Sequence, residues 1–267
     1  MSLAFVYAGQ GSQSLGMGGL SEAQVTQTKY VQPAMIGIEI ELTDMLKKEG
    51  IIPDVVCGLS LGEYAALYAA DVWDAATTLD IVSYRGHVMQ ETTKGMECAM
   101  VAILGLVPDS AFDEVEISNY NCTGQIVISG EKSAVERAAF KAKSLGAKRC
   151  IPLNTNGPFH TSMMEEASRL LNEKFNEIEF NEMKIPVIAN VTGEVLNSDI
   201  AKNLVNQVKC PVQFEKTIKT LEKMGVNTAI EIGPGRVISG FIKKTSPSIQ
   251  VYNVEKGEDI ACVKQQL

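Results

Sequence analysis

The chain has 267 residues, 45% apolar and 21% charged, a balance that fits a soluble globular protein and excludes disordered and fibrous classes. A net charge of −8 argues against a nucleic-acid partner, which requires a basic face. The longest apolar stretches, such as Met100 to Val107, are too short to span a bilayer, and no charged-then-apolar leader opens the chain; a cytoplasmic protein without a membrane partner is expected.

Leu3 to Ala8 reads as a strand running into Gly9-Gln10-Gly11-Ser12-Gln13, a turn whose glycines let backbone N–H groups approach a ligand. Tyr30 to Lys48 carries Met35, Ile38, Leu42, Met45 and Leu46 at helical spacing before the Glu49-Gly50 stop. A strand at 53–57, a helix at 61–70 and a second helix at 73–92 complete an α/β block. From Ala99 the texture changes to strand (99–104), short helix (108–114), strand (115–120), strand (125–129), helix (131–145) and strand (148–153), the βαββαβ order of a ferredoxin-like unit. Strands at 184–190, 228–232 and 249–253 and a mostly helical 204–224 return to α/β. The expected fold is therefore α/β, a large α/β-hydrolase-like domain (1–97 and 160–267) with a parallel sheet core and an inserted ferredoxin-like subdomain (98–159). Six scattered cysteines with no CxxC pair read as free thiols, so no metal and no cofactor are expected.

Ser60 stands in Gly58-Leu59-Ser60-Leu61-Gly62, between the strand at 53–57 and the helix that follows. A serine on such a turn is presented at the carboxyl end of a strand beside a helix N-terminus, the arrangement of an acyl-transfer nucleophile; a packed turn with a solvated serine is the plain alternative. The chain has only two histidines. His160 follows Gly157-Pro158-Phe159 on a loop after a strand, where a general base is held, whereas His87 reads as a solvated surface residue.

Five segments now carry a resemblance: Gly9-Gln10-Gly11-Ser12-Gln13, Gly58-x-Ser60-Leu61-Gly62-Glu63, Arg85-Gly86-x-x-Met89-Gln90, Gly157-Pro158-Phe159-His160 and Glu231-x-Gly233-Pro234-Gly235. In this order the chain resembles the malonyl-CoA:acyl carrier protein transacylases of fatty-acid and polyketide synthesis, from Leu3 to about Tyr252. It departs from them in Leu59, where members usually have histidine, and in a short passage from Gly18-Gly19 to Tyr30.

The resemblance implies that Ser60 attacks the thioester of malonyl-CoA and His160 takes its proton, with the Gln207 main-chain carbonyl orienting the imidazole and the Gln207 side chain secondary. The N–H groups of Leu61 and Gln10 would form the oxyanion hole. Arg85 would pair with the malonyl carboxylate, where a surface arginine is the plain reading, and Phe159 resembles the malonyl-selecting version of its motif. Met89, Asn119, Asn121 and Gln125 are expected to line the pocket. The implied partners are malonyl-CoA and acyl carrier protein, the latter docked on some of Lys132, Lys209, Lys216, Arg236, Lys243 and Lys244, with the chain a monomer. A polyketide or malonate-decarboxylase malonyltransferase shares these motifs. A serine esterase or thioesterase is the rival class, but it places its histidine late in the chain, and no histidine follows His160 here. A binding module would be expected to lose Ser60, His160 or Arg85, and all three are present.

Overall fold

The computed structural model describes residues 2–105, 112–155, 157–197 and 199–267. The chain opens with β1 (Leu3–Tyr7), α1 (Thr28–Lys48), β2 (Val55–Gly58), α2 (Gly62–Ala69) and α3 (Ala75–Thr92). It continues through β3 (Cys98–Leu104), β4 (Glu116–Cys122), β5 (Gln125–Glu131), α4 (Lys132–Ser144) and β6 (Arg149–Pro152). It closes with α5 (Glu165–Phe175), β7 (Val187–Ile188), α6 (Ile200–Gln207), α7 (Phe214–Lys223), β8 (Thr228–Ile232), α8 (Val237–Thr245), β9 (Gln250–Val254) and α9 (Gly257–Lys264).

β1 is buried along its whole length, and its side chains alternate between two cores. Leu3, Phe5 and Tyr7 join a cluster with Met35, Ile36, Leu67 and Ile81, whereas Ala4 and Val6 join Phe214, Ile218, Ile238 and Ile242. A strand that is apolar on both faces needs helices on both sides, and β1 is the middle strand of a five-stranded sheet, β7-β2-β1-β8-β9, paired in parallel throughout. The second sheet is antiparallel, in the order β4-β5-β3-β6. On β3, Val101 and Ile103 pack with Val135, Ala138 and Ala142 of α4, while Met100 and Ala102 face the core of the parallel sheet. The fold is thus mixed α/β with a parallel sheet and a separate antiparallel one.

The helix expected over 204–224 is two helices. Pro211 has no N–H to donate and disfavours helix at the residue before it, so α6 ends at Gln207 and α7 starts only at Phe214. The break is used: Val212 donates to Ser118 O (2.9 Å) and accepts from Tyr120 N–H (2.8 Å), tying it to β4. Most of the helix expected at 108–114 lies outside the described residues. The strand expected over 184–190 shrinks to the two residues of β7. Helices α5, α8 and α9 add to the expected order of elements. Among the described residues, no helix is long and apolar enough to cross a membrane.

Candidate active site

β2 ends at Gly58 and α2 begins at Gly62, so the chain turns from strand to helix through Leu59, Ser60 and Leu61. Ser60 has φ 53°, in the left-handed region that side chains other than glycine rarely adopt. The turn closes only because its flanking residues lack side chains: a Cβ on Gly58 would lie 2.1 Å from the Gly62 carbonyl carbon, and one on Gly62 would lie 2.4 Å from Tyr7 O. Asn190, two residues past β7, clamps the elbow. Its Oδ1 accepts from Ser60 N–H (2.6 Å) and its Nδ2 donates to Gly58 O (2.7 Å).

Ser60 Oγ lies 2.7 Å from His160 Nε2, and His160 Nδ1 lies 2.6 Å from Gln207 O. A carbonyl oxygen only accepts, so Nδ1 carries the proton and Nε2 presents a lone pair to the serine. Burial, then the nearby Arg85 charge, pull the imidazole pKa down to about 4, against hydrogen bonds at Gln207 and Cys210 that raise it. His160 is therefore neutral at pH 7, the state a general base requires.

Arg85 and Met89 are four residues apart on α3 and so share a face, which points at this elbow. Arg85 is fully buried; its Nη2 donates to Ser60 Oγ (3.2 Å) and to Gln207 Oε1 (3.0 Å), and its guanidinium lies 5.2 Å from the Tyr64 ring centroid. Burial lowers its pKa, and Tyr64 and Glu63 oppose the shift. The Gln207 side chain, expected to be secondary, is the hub of this network. Besides accepting from Arg85, it donates through Nε2 to Ser60 O (2.8 Å) and to Glu63 Oε2 (2.7 Å). Glu63, also fully buried, accepts further from Asn203 Nδ2 (2.7 Å) and Asn190 N–H (3.2 Å). Burial pushes its carboxyl up from the ordinary value, while these three hydrogen bonds and the Arg85 charge pull it back.

A cavity of about 520 Å3 opens in front of the serine, between the two sheets. Of the expected site residues, Gln10, Ser60, Arg85, Met89, Asn119, Asn121, Gln125, Phe159 and His160 line it, whereas Leu61 and Gln207 stand behind it. The Gln10 side chain is tied to α1, donating to Thr28 Oγ1 (3.1 Å) and accepting from Gln32 Nε2 (3.3 Å), and its main-chain N–H and that of Leu61 have no partner among the described residues. Leu59 also lines the cavity, and His87 is exposed as expected. Of the basic residues considered for docking, Lys209, Lys216 and Arg236 are engaged with Glu165, Glu194 and Glu255. Among the described residues, Lys132, Lys243 and Lys244 form no salt bridge, and the last two sit on α8, whose Val237 and Phe241 line the cavity. Asn190, Asn203 and Gln32 carried no signal in the sequence; Glu63 did, as the residue closing the serine motif, but without a role.

Comparison with known proteins shows the family. Residues 20–263 match the acyl transferase domain family. The malonyl CoA-acyl carrier protein transacylase of Bacillus subtilis is 37% identical over 307 aligned positions, covering 99% of this chain and 97% of the relative. The chain belongs to the malonyl CoA-acyl carrier protein transacylase family. Members can be longer: 307 positions against 267 residues leaves about forty that are gaps here. Among solved members, MCAT from Streptococcus pneumoniae superposes with a TM-score of 0.93 at 35% identity, covering all of both chains. A malonyl-transacylase solved in complex with a type II PKS acyl-carrier protein superposes at 0.95 with 30% identity, again over both full chains.

Proposed function

We propose that this enzyme moves the malonyl group of malonyl-CoA to the phosphopantetheine thiol of an acyl carrier protein through an ester on Ser60. The observation that carries the reading is the contact of Ser60 Oγ with a neutral His160 at 2.7 Å, beside a buried arginine that donates to the same oxygen. His160 Nε2 takes the serine proton as Oγ attacks the thioester carbonyl, and returns it to the departing CoA sulfur. The carrier-protein thiol then gives its proton to the same nitrogen and attacks the serine ester; as the bond to Ser60 Oγ breaks, His160 passes that proton to the departing oxygen, and the malonyl group leaves as the carrier thioester. Leu61 and Gln10 N–H groups hold the oxyanion in both steps. Arg85 binds the malonyl carboxylate, Phe159 and Met89 wall the acyl end, and Asn119 and Asn121 line the approach. The scheme needs no cofactor beyond the CoA thioester.

We read the two-part layout as an α/β-hydrolase-like body (1–97 and 160–267) and a ferredoxin-like subdomain (98–159) that closes the site from above. The test is intact mass after mixing with malonyl-CoA. A malonyl adduct should form, pass to a carrier-protein thiol faster than it hydrolyses, and be absent in Ser60→Ala; an adduct on that variant, or loss to water alone, would refute the assignment.

A further inference from the structure

Gln207 stands between two buried charges. Its amide orientation is fixed by its partners, since Ser60 O can only accept and the Arg85 guanidinium can only donate: Nε2 faces Ser60 O, and Oε1 faces Arg85. Nε2 therefore also faces Glu63 Oε2 as a donor. The other groups on Glu63 are donors as well, Asn203 Nδ2 on Oε1 and Asn190 N–H on Oε2. A protonated carboxyl would find no acceptor among these groups, so the geometry favours the carboxylate. Arg85 and Glu63 thus form an ion pair with an amide inserted between them, Arg85 Nη2 to Gln207 Oε1 at 3.0 Å and Gln207 Nε2 to Glu63 Oε2 at 2.7 Å.

The inserted amide has a consequence for selectivity. A carboxylate in direct contact would occupy the guanidinium as a fork-to-fork pair and leave little of it for a ligand. Held at one amide's distance, Glu63 supplies the compensating charge that a fully buried arginine needs without occupying the guanidinium fork, and Arg85 remains a lining residue of the cavity. We propose that Glu63 is a positioning residue for donor choice, holding Arg85 through the Gln207 amide in the orientation that receives the donor's carboxylate. This rests on the malonyl reading given above, and it extends that reading to a residue that does not line the cavity.

The experiment measures Ser60 acylation from malonyl-CoA and from acetyl-CoA by the full chain and by Glu63→Gln, with thermal unfolding followed for each. Glutamine keeps the size, removes the charge and turns an N–H2 group toward existing donors. Malonyl acylation should fall about tenfold or more, the loss for a hydrogen-bonded charge, with a much smaller change for acetyl. Equal losses on both donors would overturn the proposal and leave Glu63 as support for the elbow. Should Glu63→Gln not fold, Asn203→Ala carries the test, because it removes the donor to Oε1 from the half-buried end of the relay; a donor ratio held at the wild-type value would then overturn it. A wild type that takes both donors equally fast would sink the malonyl reading itself, and is seen before any variant is made.

Discussion

The imidazole of His160 is oriented by a main-chain oxygen, that of Gln207, 2.6 Å from Nδ1. A carbonyl fixes the tautomer as a carboxylate would, but adds no negative charge to hold a proton on the ring. With burial and the Arg85 charge both acting against the imidazolium, the pKa falls to about 4. The acylation rate should therefore stay level from pH 8 to about pH 5 and drop as the pH falls through about 4, because the protonated ring cannot accept the serine proton. Stability follows with a definite sign. The unfolded chain protonates this histidine near 6.5 and the folded one near 4, so the unfolded state binds more protons in that window and stability falls as pH drops across it. Melting temperatures of wild type and His160→Gln over pH 4 to 7 check this, the variant losing less on acidification.

Truncating Gln207 tests its side chain apart from its carbonyl. Gln207→Ala keeps the main-chain acceptor for His160 but removes the contacts to Arg85, Ser60 O and Glu63, leaving two buried charges without a bridge. Each lost hydrogen bond to a charged group costs about 1.5–3 kcal/mol, so acylation should slow by at least about tenfold. His160→Ala should slow it by about three orders of magnitude or more. A Gln207→Ala enzyme at wild-type rate would return the side chain to the secondary role that the motif alone suggests.

Why one part of this site was legible and another was not follows from the range of the forces involved. Ser60, His160 and Arg85 announce themselves because their chemistry needs local backbone: a glycine-flanked turn, a Gly-Pro loop, a helix face. Strand and helix periods likewise gave β1, β8 and most of the first half, since burial on one or two faces writes a pattern into neighbouring residues. Asn190 and Glu63 are different. Their partners are 130 and 144 residues away along the chain, at Ser60 and Gln207, so nothing near them in sequence marks the contact. The α6–α7 break was readable in Pro211, but its purpose, pairing Val212 with β4, was not.

Glu39 on α1 offers a stability test remote from the serine. It is fully buried, neither carboxyl oxygen has a partner among the described residues, and Oε1 presses so close to Gly233 that a Cβ there would lie 2.7 Å away. Burial without compensation pushes this carboxyl well above its ordinary range. The folded state then binds more protons than the unfolded one as pH rises past the unfolded value, so Glu39 costs stability toward neutral and alkaline pH. Glu39→Gln stays neutral throughout. It should raise the melting temperature at pH 8 and change it little at pH 4.5, and a pH-independent difference would show that the carboxyl is ionised or partnered in the folded protein.

Asn190 separates nucleophile geometry from donor choice. Its side chain contacts the main chain of Gly58 and of Ser60, the residue at φ 53°, so Asn190→Ala removes two hydrogen bonds and leaves the Ser60 N–H and Gly58 O without those partners. Nothing in that clamp touches the acyl end of the cavity. Each bond contributes about 0.5–1.5 kcal/mol net, so the variant should lose about five- to a hundredfold in acylation as Ser60 Oγ drifts from His160 Nε2. The loss should be the same for malonyl-CoA and acetyl-CoA, in contrast to Glu63→Gln, which should change their ratio. Single-turnover acylation with both donors decides it: a malonyl-selective loss in Asn190→Ala would mean that the clamp acts on Arg85 through Glu63, whose Oε2 accepts the Asn190 N–H, and not on the elbow.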